Sequence, residues 1–214
     1  GTDIVAIGYK ALYANTNGGN TAVGINSSVT NTTGYYNTSL GASSLYYNTT
    51  GAYNTALGHS ALLNNTTASN NTAVGYQAGY SNTTGTRLAF IGYRAGYSNT
   101  TGNDNTAIGG TNTLYFNTTG SSNVAIGTDA LVSNTTASNN VAVGYQALYA
   151  NTTGNGSVAV GHQAAVSSTT GQNTAIGYLA MYYNTTGTNN TVLGQQALYA
   201  NTTGIQNTAI GGGA

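Results

Sequence analysis

The chain of 214 residues contains no cysteine, no proline, no tryptophan and no glutamate, and only 3% of it is charged. Without Cys there are neither disulfides nor thiolate metal sites. Without Pro, every backbone N–H is available to a hydrogen-bonded ladder, as stacked strands require. Three Lys and Arg balance three Asp, for a formal net charge of zero. That excludes a basic stripe for nucleic acid and a polybasic patch for anionic lipid, so neither partner is expected. No apolar run approaches the length of a membrane span, and no signal-peptide pattern is present. Disorder usually accompanies high net charge, so order is the better reading of so neutral a chain.

The same scarcity argues against catalysis. Asp3, Asp104 and Asp129 are scattered, and no paired-carboxylate or Ser-His-Asp arrangement is visible. His59 and His162 lie six repeats apart with no second ligand near either. No enzyme activity, cofactor or metal site is expected. The many glycines are not phosphate loops, because none opens a helix.

What the chain does have is a repeat. Glycines recur at Gly8, Gly24, Gly41, Gly58, Gly75, Gly92, Gly109, Gly127, Gly144, Gly161, Gly177, Gly194 and Gly211, thirteen anchors spaced 16 to 18 residues apart. The fullest copy reads Asn-Thr-Ala-Val-Gly-Tyr-Gln-Ala-Leu-Tyr-Ala-Asn-Thr-Thr-Gly plus two variable residues. This period falls in the range of one solenoid coil. The expectation is an all-β fold, a parallel β-solenoid (β-roll) of about 17 residues per coil. Residues 1–214 then form one continuous array, uncapped at both ends.

Two residues before each anchor stands a small residue, as at Ala22, Ala142 and Ala175, with Phe90 the largest exception. Between it and the glycine there is always Ile, Val or Leu. β-branched enrichment without a helical period predicts a short strand, Thr-Ala-Val-Gly. The apolar run after the anchor, Ala11–Ala14 or Ala147–Ala150, reads as a second strand, with Asn-Thr-Thr-Gly as the turn back. Length changes are expected in loops: one residue lost near Gly18 and another near Gln172, one gained between Gly109 and Asn117. The Ala and Ile/Val columns must face opposite sides of the strand, yet both are apolar. Cover on both sides implies lateral association of rods, most simply with identical copies.

Four motifs carry functional readings. The Asn column four residues before the anchor (Asn37, Asn54, Asn140 and others) reads as an amide ladder between coils. Asn31, Asn48, Asn65, Asn82, Asn99, Asn117, Asn134, Asn151, Asn184 and Asn201 head Asn-Thr-Thr triplets, which match the N-glycosylation acceptor pattern and also suit turn chemistry. Tyr76, Tyr93, Tyr145 and Tyr178, one residue after their anchors, are candidate glycan contacts, against a plain aromatic ladder. The unbroken rank from Thr16 through Thr202 invites an ice-binding reading, but the second Thr of each pair is adjacent and should point the other way. Arg87 and Asp104 occupy the same place in neighbouring copies and should pair across coils.

Copies such as Asn123-Val124-Ala125-Ile126-Gly127 and Ser157-Val158-Ala159-Val160-Gly161, each followed shortly by another Ala, resemble the head repeats of YadA-like trimeric autotransporter adhesins. Similar repeats occur in phage tail fibres. The resemblance covers the whole chain. It implies a left-handed parallel β-roll assembled as a homotrimer, working in attachment at a cell or virion surface. The added Asn-Thr-Thr-Gly turn departs from that family's shorter repeat.

The function expected is a structural or adhesive extracellular fibre, built from stacked β-coils and self-associating laterally, with end-to-end stacking as a further contact. Alternatives are a carbohydrate-binding adhesin or tail-fibre shaft using the Tyr ranks on surface glycans and, behind these, an ice-binding solenoid.

Overall fold

Thr-Ala-Val and its variants are long enough for only a few ladder residues, and most strands are three residues long. The structure, a computed structural model describing residues 3–214, has thirteen of them, from β1 (Val5–Ile7) to β13 (Thr208–Ile210). All are parallel and lie in sequence order in one sheet. The fold is therefore a β-solenoid with one repeat per coil. At about 4.8 Å per strand the stack is on the order of 60 Å long. Register is set residue upon residue: Ala125 lies beside Ala142, and Ala142 beside Ala159.

Alternation across the strand appears as expected. The central residue points into the coil and is fully buried at Ala22, Ala56, Ala73, Ala107, Ala125, Ala142, Ala159 and Ala175. Its two neighbours point outward. The anchor glycines then turn the chain at φ of +121° to +142° in most coils, where a side chain is strained. At Gly144 a Cβ would also lie 2.4 Å from the carbonyl oxygen of Gly161 in the next coil.

The segment after the anchor is not a second strand. It is a run of turns in which Leu12, Leu45, Leu62, Leu114, Leu131, Leu148 and Leu198 take φ near +50°. A left-handed conformation is costly for a bulky residue. Hydrogen bonds to both neighbouring coils offset that cost. Ser43 N–H donates backward to Ile25 O (2.9 Å), while Leu45 N–H donates forward to Ala61 O and Tyr47 N–H to Leu63 O, both at 3.0 Å. The bend also points Leu45, Leu62, Leu114, Leu131 and Leu148 inward against the Ala columns, which completes the apolar half of the core.

The two single-residue losses fall in turns, as expected. The gain does not. It lengthens a strand, β7 (Thr106–Thr111), beside β6 (Ala89–Tyr93), and the register shifts between Ile91 and Tyr93 so that Tyr93 pairs with Thr111. An extra residue absorbed as an irregularity at a strand end keeps the coils on either side in step.

Two pairs of coils fill the core differently. Around β6, Phe90 replaces the small residue and its ring occupies the space that Leu fills elsewhere. The matching positions are Gly79 and Gly96, and a Cβ on Gly96 would lie 2.5 Å from Phe90 Cε2. Near the N-terminal end, Ser27, Ser28, Ser39 and Ser44 stand where Ala and Leu stand in other coils, and all four are buried. Ser27 Oγ and Ser28 Oγ donate to Ser39 Oγ at 2.7 and 2.8 Å, and Ser44 Oγ donates to Gly41 O at 2.9 Å.

Candidate functional site: the outer ranks of the rod

The other half of the interior is polar. Each Asn-Thr-Thr asparagine except Asn201 is fully buried, and Asn201 is partly so. Asn48 Nδ2 donates to Asn31 Oδ1 of the preceding coil (2.7 Å) and to Gly51 O three residues on (3.0 Å). Asn65, Asn82, Asn99, Asn117 and Asn134 continue the column in the same way, with coil-to-coil distances of 2.7 to 3.0 Å. Amide hydrogens aimed at two acceptors both close the turn and join the coils. The candidate glycosylation asparagines are thus interior ladder residues in the folded coil. A glycan on Nδ2 would displace one of these bonds and would have no route out of the column.

The ladder is interrupted around Asn151. Asn151 Nδ2 bonds Gly154 O but not the preceding coil, which leaves Asn134 Oδ1 without a partner, and the next position is Ser168, whose hydroxyl donates to Thr170 O. This break lies beside the coil shortened near Gln172.

The Asn column before the strand forms the second ladder, but with a different pattern from amide-to-amide bonding alone. Asn37 Oδ1 accepts the backbone N–H of Asn54 at 2.9 Å and its Nδ2 at 3.1 Å, while Asn54 Nδ2 also reaches Ala68 O at 2.9 Å. Leu88 replaces Asn in this column, and its backbone N–H still donates to Asn71 Oδ1 at 3.0 Å.

With the asparagines inside, the surface belongs to Thr, aliphatic and Tyr ranks. The first Thr of most pairs turns its hydroxyl into the next coil: Thr32 Oγ1 donates to Thr49 O (2.9 Å), and Thr83 Oγ1 to Thr100 O (3.0 Å). Those hydroxyls are structural, and the rank shows its methyl groups. Beside it an open groove of about 540 Å³ runs along Thr49, Thr66 and Thr83, walled by Tyr47.

The outward face of the sheet has a different character. Leu40, Leu57, Ile91, Ile126, Ile176 and Leu193 remain 37–49% exposed although they stand in the middle of the sheet. Thr38, Thr55, Thr72 and Thr191 flank them on the same face and are also exposed. Tyr and His of the next column border the stripe. The aliphatic and Thr ranks together cover roughly 600 Å² over the length of the sheet, about half of it aliphatic.

The four candidate glycan-contact tyrosines stand in this border column, but not in one group. Tyr76 lies between His59 (5.5 Å between ring centroids) and Tyr93 (5.4 Å), nearly parallel to both. Tyr145 and Tyr178 enclose His162 at 5.1 and 5.3 Å. Interior rings present edges to solvent, and a free face for a sugar is left only where a run ends. A second column, Tyr80, Tyr97 and Tyr115, stacks at 5.0 Å with planes within 7°. Arg94 sits between the columns, its guanidinium carbon 5.1 Å from the Tyr93 ring centre and 5.6 Å from that of Tyr97. Burial and its tyrosine neighbours push the Tyr97 phenol above its ordinary range.

Arg87 and Asp104 pair across coils as expected, Nε to Oδ1 at 2.5 Å and Nη2 to Oδ2 at 2.8 Å. Hydrogen bonding to the guanidinium lowers the Asp104 pKa below its ordinary value. Among the described residues no group of three His, Cys, Asp or Glu gathers, and no helix is long and apolar enough to cross a membrane. Comparison with protein families, curated proteins and solved structures finds no match to this chain.

Proposed function

We propose that the protein is a non-catalytic fibre module, a stiff spacer or adhesive shaft that acts at a cell or virion surface as a bundle of identical rods. The observation that carries this reading is the stripe of exposed Ile and Leu, with half-buried Val between them, along the outward face of the sheet. Together with the Thr rank that flanks it, the stripe covers about three-quarters of the roughly 800 Å² that each partner contributes to a standard interface, before the bordering Tyr and His are counted. Every coil presents the same ranks at the same spacing, so another copy of the chain matches the stripe along its whole length. The resemblance to YadA-like head repeats supports three copies and an extracellular location.

Two substitutions one residue apart test it. Ala142 is fully buried inside the coil, so Ala142→Arg strands a charge in the core and prevents folding. Val143 faces outward, so Val143→Lys keeps the strand-rich circular dichroism and breaks only the association. Sedimentation at micromolar concentration should give an oligomer for the wild type and a folded monomer for the Lys variant. A wild type that sediments as a monomer sinks the proposal.

One observation favours a second reading. The outward Thr and aliphatic ranks form a regular grid of about 4.8 by 6.7 Å, the kind of surface an ordered water lattice can match. Its hydroxyl rank is the Thr of the strand, not the Asn-Thr-Thr rank. Thermal hysteresis in the folded Val143→Lys monomer, weaker than in an unaltered face, would favour ice over self-association.

A further inference from the structure

Eighteen tyrosines and no cysteine make phenols the side chains by which neighbouring coils can be tied covalently through oxidation. Two columns in the middle of the rod hold them in place. Tyr76 and Tyr93 stack at 5.4 Å with planes 12° apart, and both are more than 40% exposed. Beside them Tyr80, Tyr97 and Tyr115 stack at 5.0 Å, with planes 7° and 3° apart. Each pair comes from adjacent coils whose parallel register keeps the backbones about 4.8 Å apart. Stacking turns the ring edges outward, and those edges carry the hydroxyl and the carbons ortho to it.

We propose that these columns are sites of oxidative phenol coupling, forming dityrosine links from coil to coil. The oxidant is hydrogen peroxide acting through a haem peroxidase. Each of two phenols loses one electron and its hydroxyl proton, giving two phenoxyl radicals with spin at the ortho carbons. Those carbons join in one carbon–carbon bond. The proton on each joined carbon then returns to the phenolate oxygen and restores the ring. In sum, two tyrosines lose two hydrogen atoms and one peroxide becomes two waters. A partner ring held in contact reacts at an effective concentration far above that of other chains in a micromolar solution, so links within the rod outrun links between rods. The inference is independent of the fibre reading, since it concerns rings on a single chain.

The chain's few basic residues make the test direct. Trypsin releases Leu88–Arg94, in which Tyr93 is the one tyrosine, while Tyr76 lies in Ala11–Arg87. The full chain is treated at micromolar concentration with peroxide and a plant haem peroxidase, then denatured and digested. The expected product is Leu88–Arg94 joined to Ala11–Arg87, two hydrogens lighter than the sum, with dityrosine fluorescence in monomeric chains. Tyr76→Phe, folded by circular dichroism, should lose that junction and keep the fluorescence of the Tyr80–Tyr97–Tyr115 column. Oxidising the chain in denaturant should scatter the links. A free Leu88–Arg94 peptide, fluorescence confined to chain dimers, or a junction that survives Tyr76→Phe would each overturn the proposal.

Discussion

The coils around Ser39 and those around Phe90 depart from the common Ala-and-Leu core in opposite ways. In the first, Leu and Ala give way to four serines, and the core stays ordered because each hydroxyl finds a partner within the cluster or in a carbonyl. In the second, a ring fills the small-residue position and two leucines become Gly79 and Gly96. One solution conserves hydrogen bonding and the other conserves volume. The lesson is that a coil is specified by the sum of what its columns place in the interior. Residues as close as Phe90 and Gly96 and as far apart as Gly79 and Gly96 must therefore change together.

The volume solution should be the more fragile. Phe90→Ala leaves a cavity that Gly79 and Gly96 cannot fill, and we expect a loss of about 3–5 kcal/mol in chemical denaturation. Adding Gly79→Leu and Gly96→Leu should recover most of it. Both glycines have φ near +60°, close to the value that Leu adopts in other coils. If the triple variant is no more stable than Phe90→Ala, the exchange is not one of volume.

In the serine coils, Ser39→Ala deprives Ser27 and Ser28 of their shared acceptor and should cost about 1–3 kcal/mol. Replacing all four at once, with Ser27→Ala, Ser28→Leu, Ser39→Ala and Ser44→Ala, restores the common core. That variant should be as stable as the parent or more so by the same measurement, since removing every partner leaves none unsatisfied. A deficit larger than that of Ser39→Ala alone would show that the cluster has a role beyond filling space.

The smallest effect belongs to the surface. The folded state holds Asp104 below its ordinary pKa through Arg87. Its stabilising contribution is therefore present above the unfolded carboxylate pKa and lost as pH falls through the folded value. Both partners are well exposed, so solvent screening keeps the effect slight. Melting curves of the parent and Asp104→Asn should differ a little at neutral pH and converge in acid. A gap that persists in acid would place the effect elsewhere than in the ion pair.

Much of this architecture was legible in the residues. The recurring glycine marked the coil. Alternation in Thr-Ala-Val told that the Ala and Ile/Val columns face opposite sides, but since both are apolar it did not tell which lies inside; equal places in successive copies paired Arg87 with Asp104. The second strand was misread, because Ala-Leu-Tyr-Ala has strand-like composition while its conformation is set by hydrogen bonds to coils above and below. The Asn-Thr-Thr triplet was read as a surface acceptor as well as a turn. Only closure of the turn onto Gly51 O and its equivalents sends the amide inward. The extra residue at β7 was expected in a loop, since nothing in Gly109-Gly110-Thr111 alone says that the strand will extend through it. Phe90 stood out as an exception in its column, but its fit depends on which columns meet across the interior. That is knowledge of the cross-section, not of the period.

Each strand pairs only with the strands immediately before and after it. Excising one period, such as His59 to Gly75, would therefore let β4 (Thr55–Leu57) meet β6 directly, with every rank still aligned. Duplication works the same way in reverse. Such a molecule is a ruler graduated in steps of about 4.8 Å. Its reach can be reset by unequal recombination within the gene, one notch at a time, while the surface it shows to any partner stays the same.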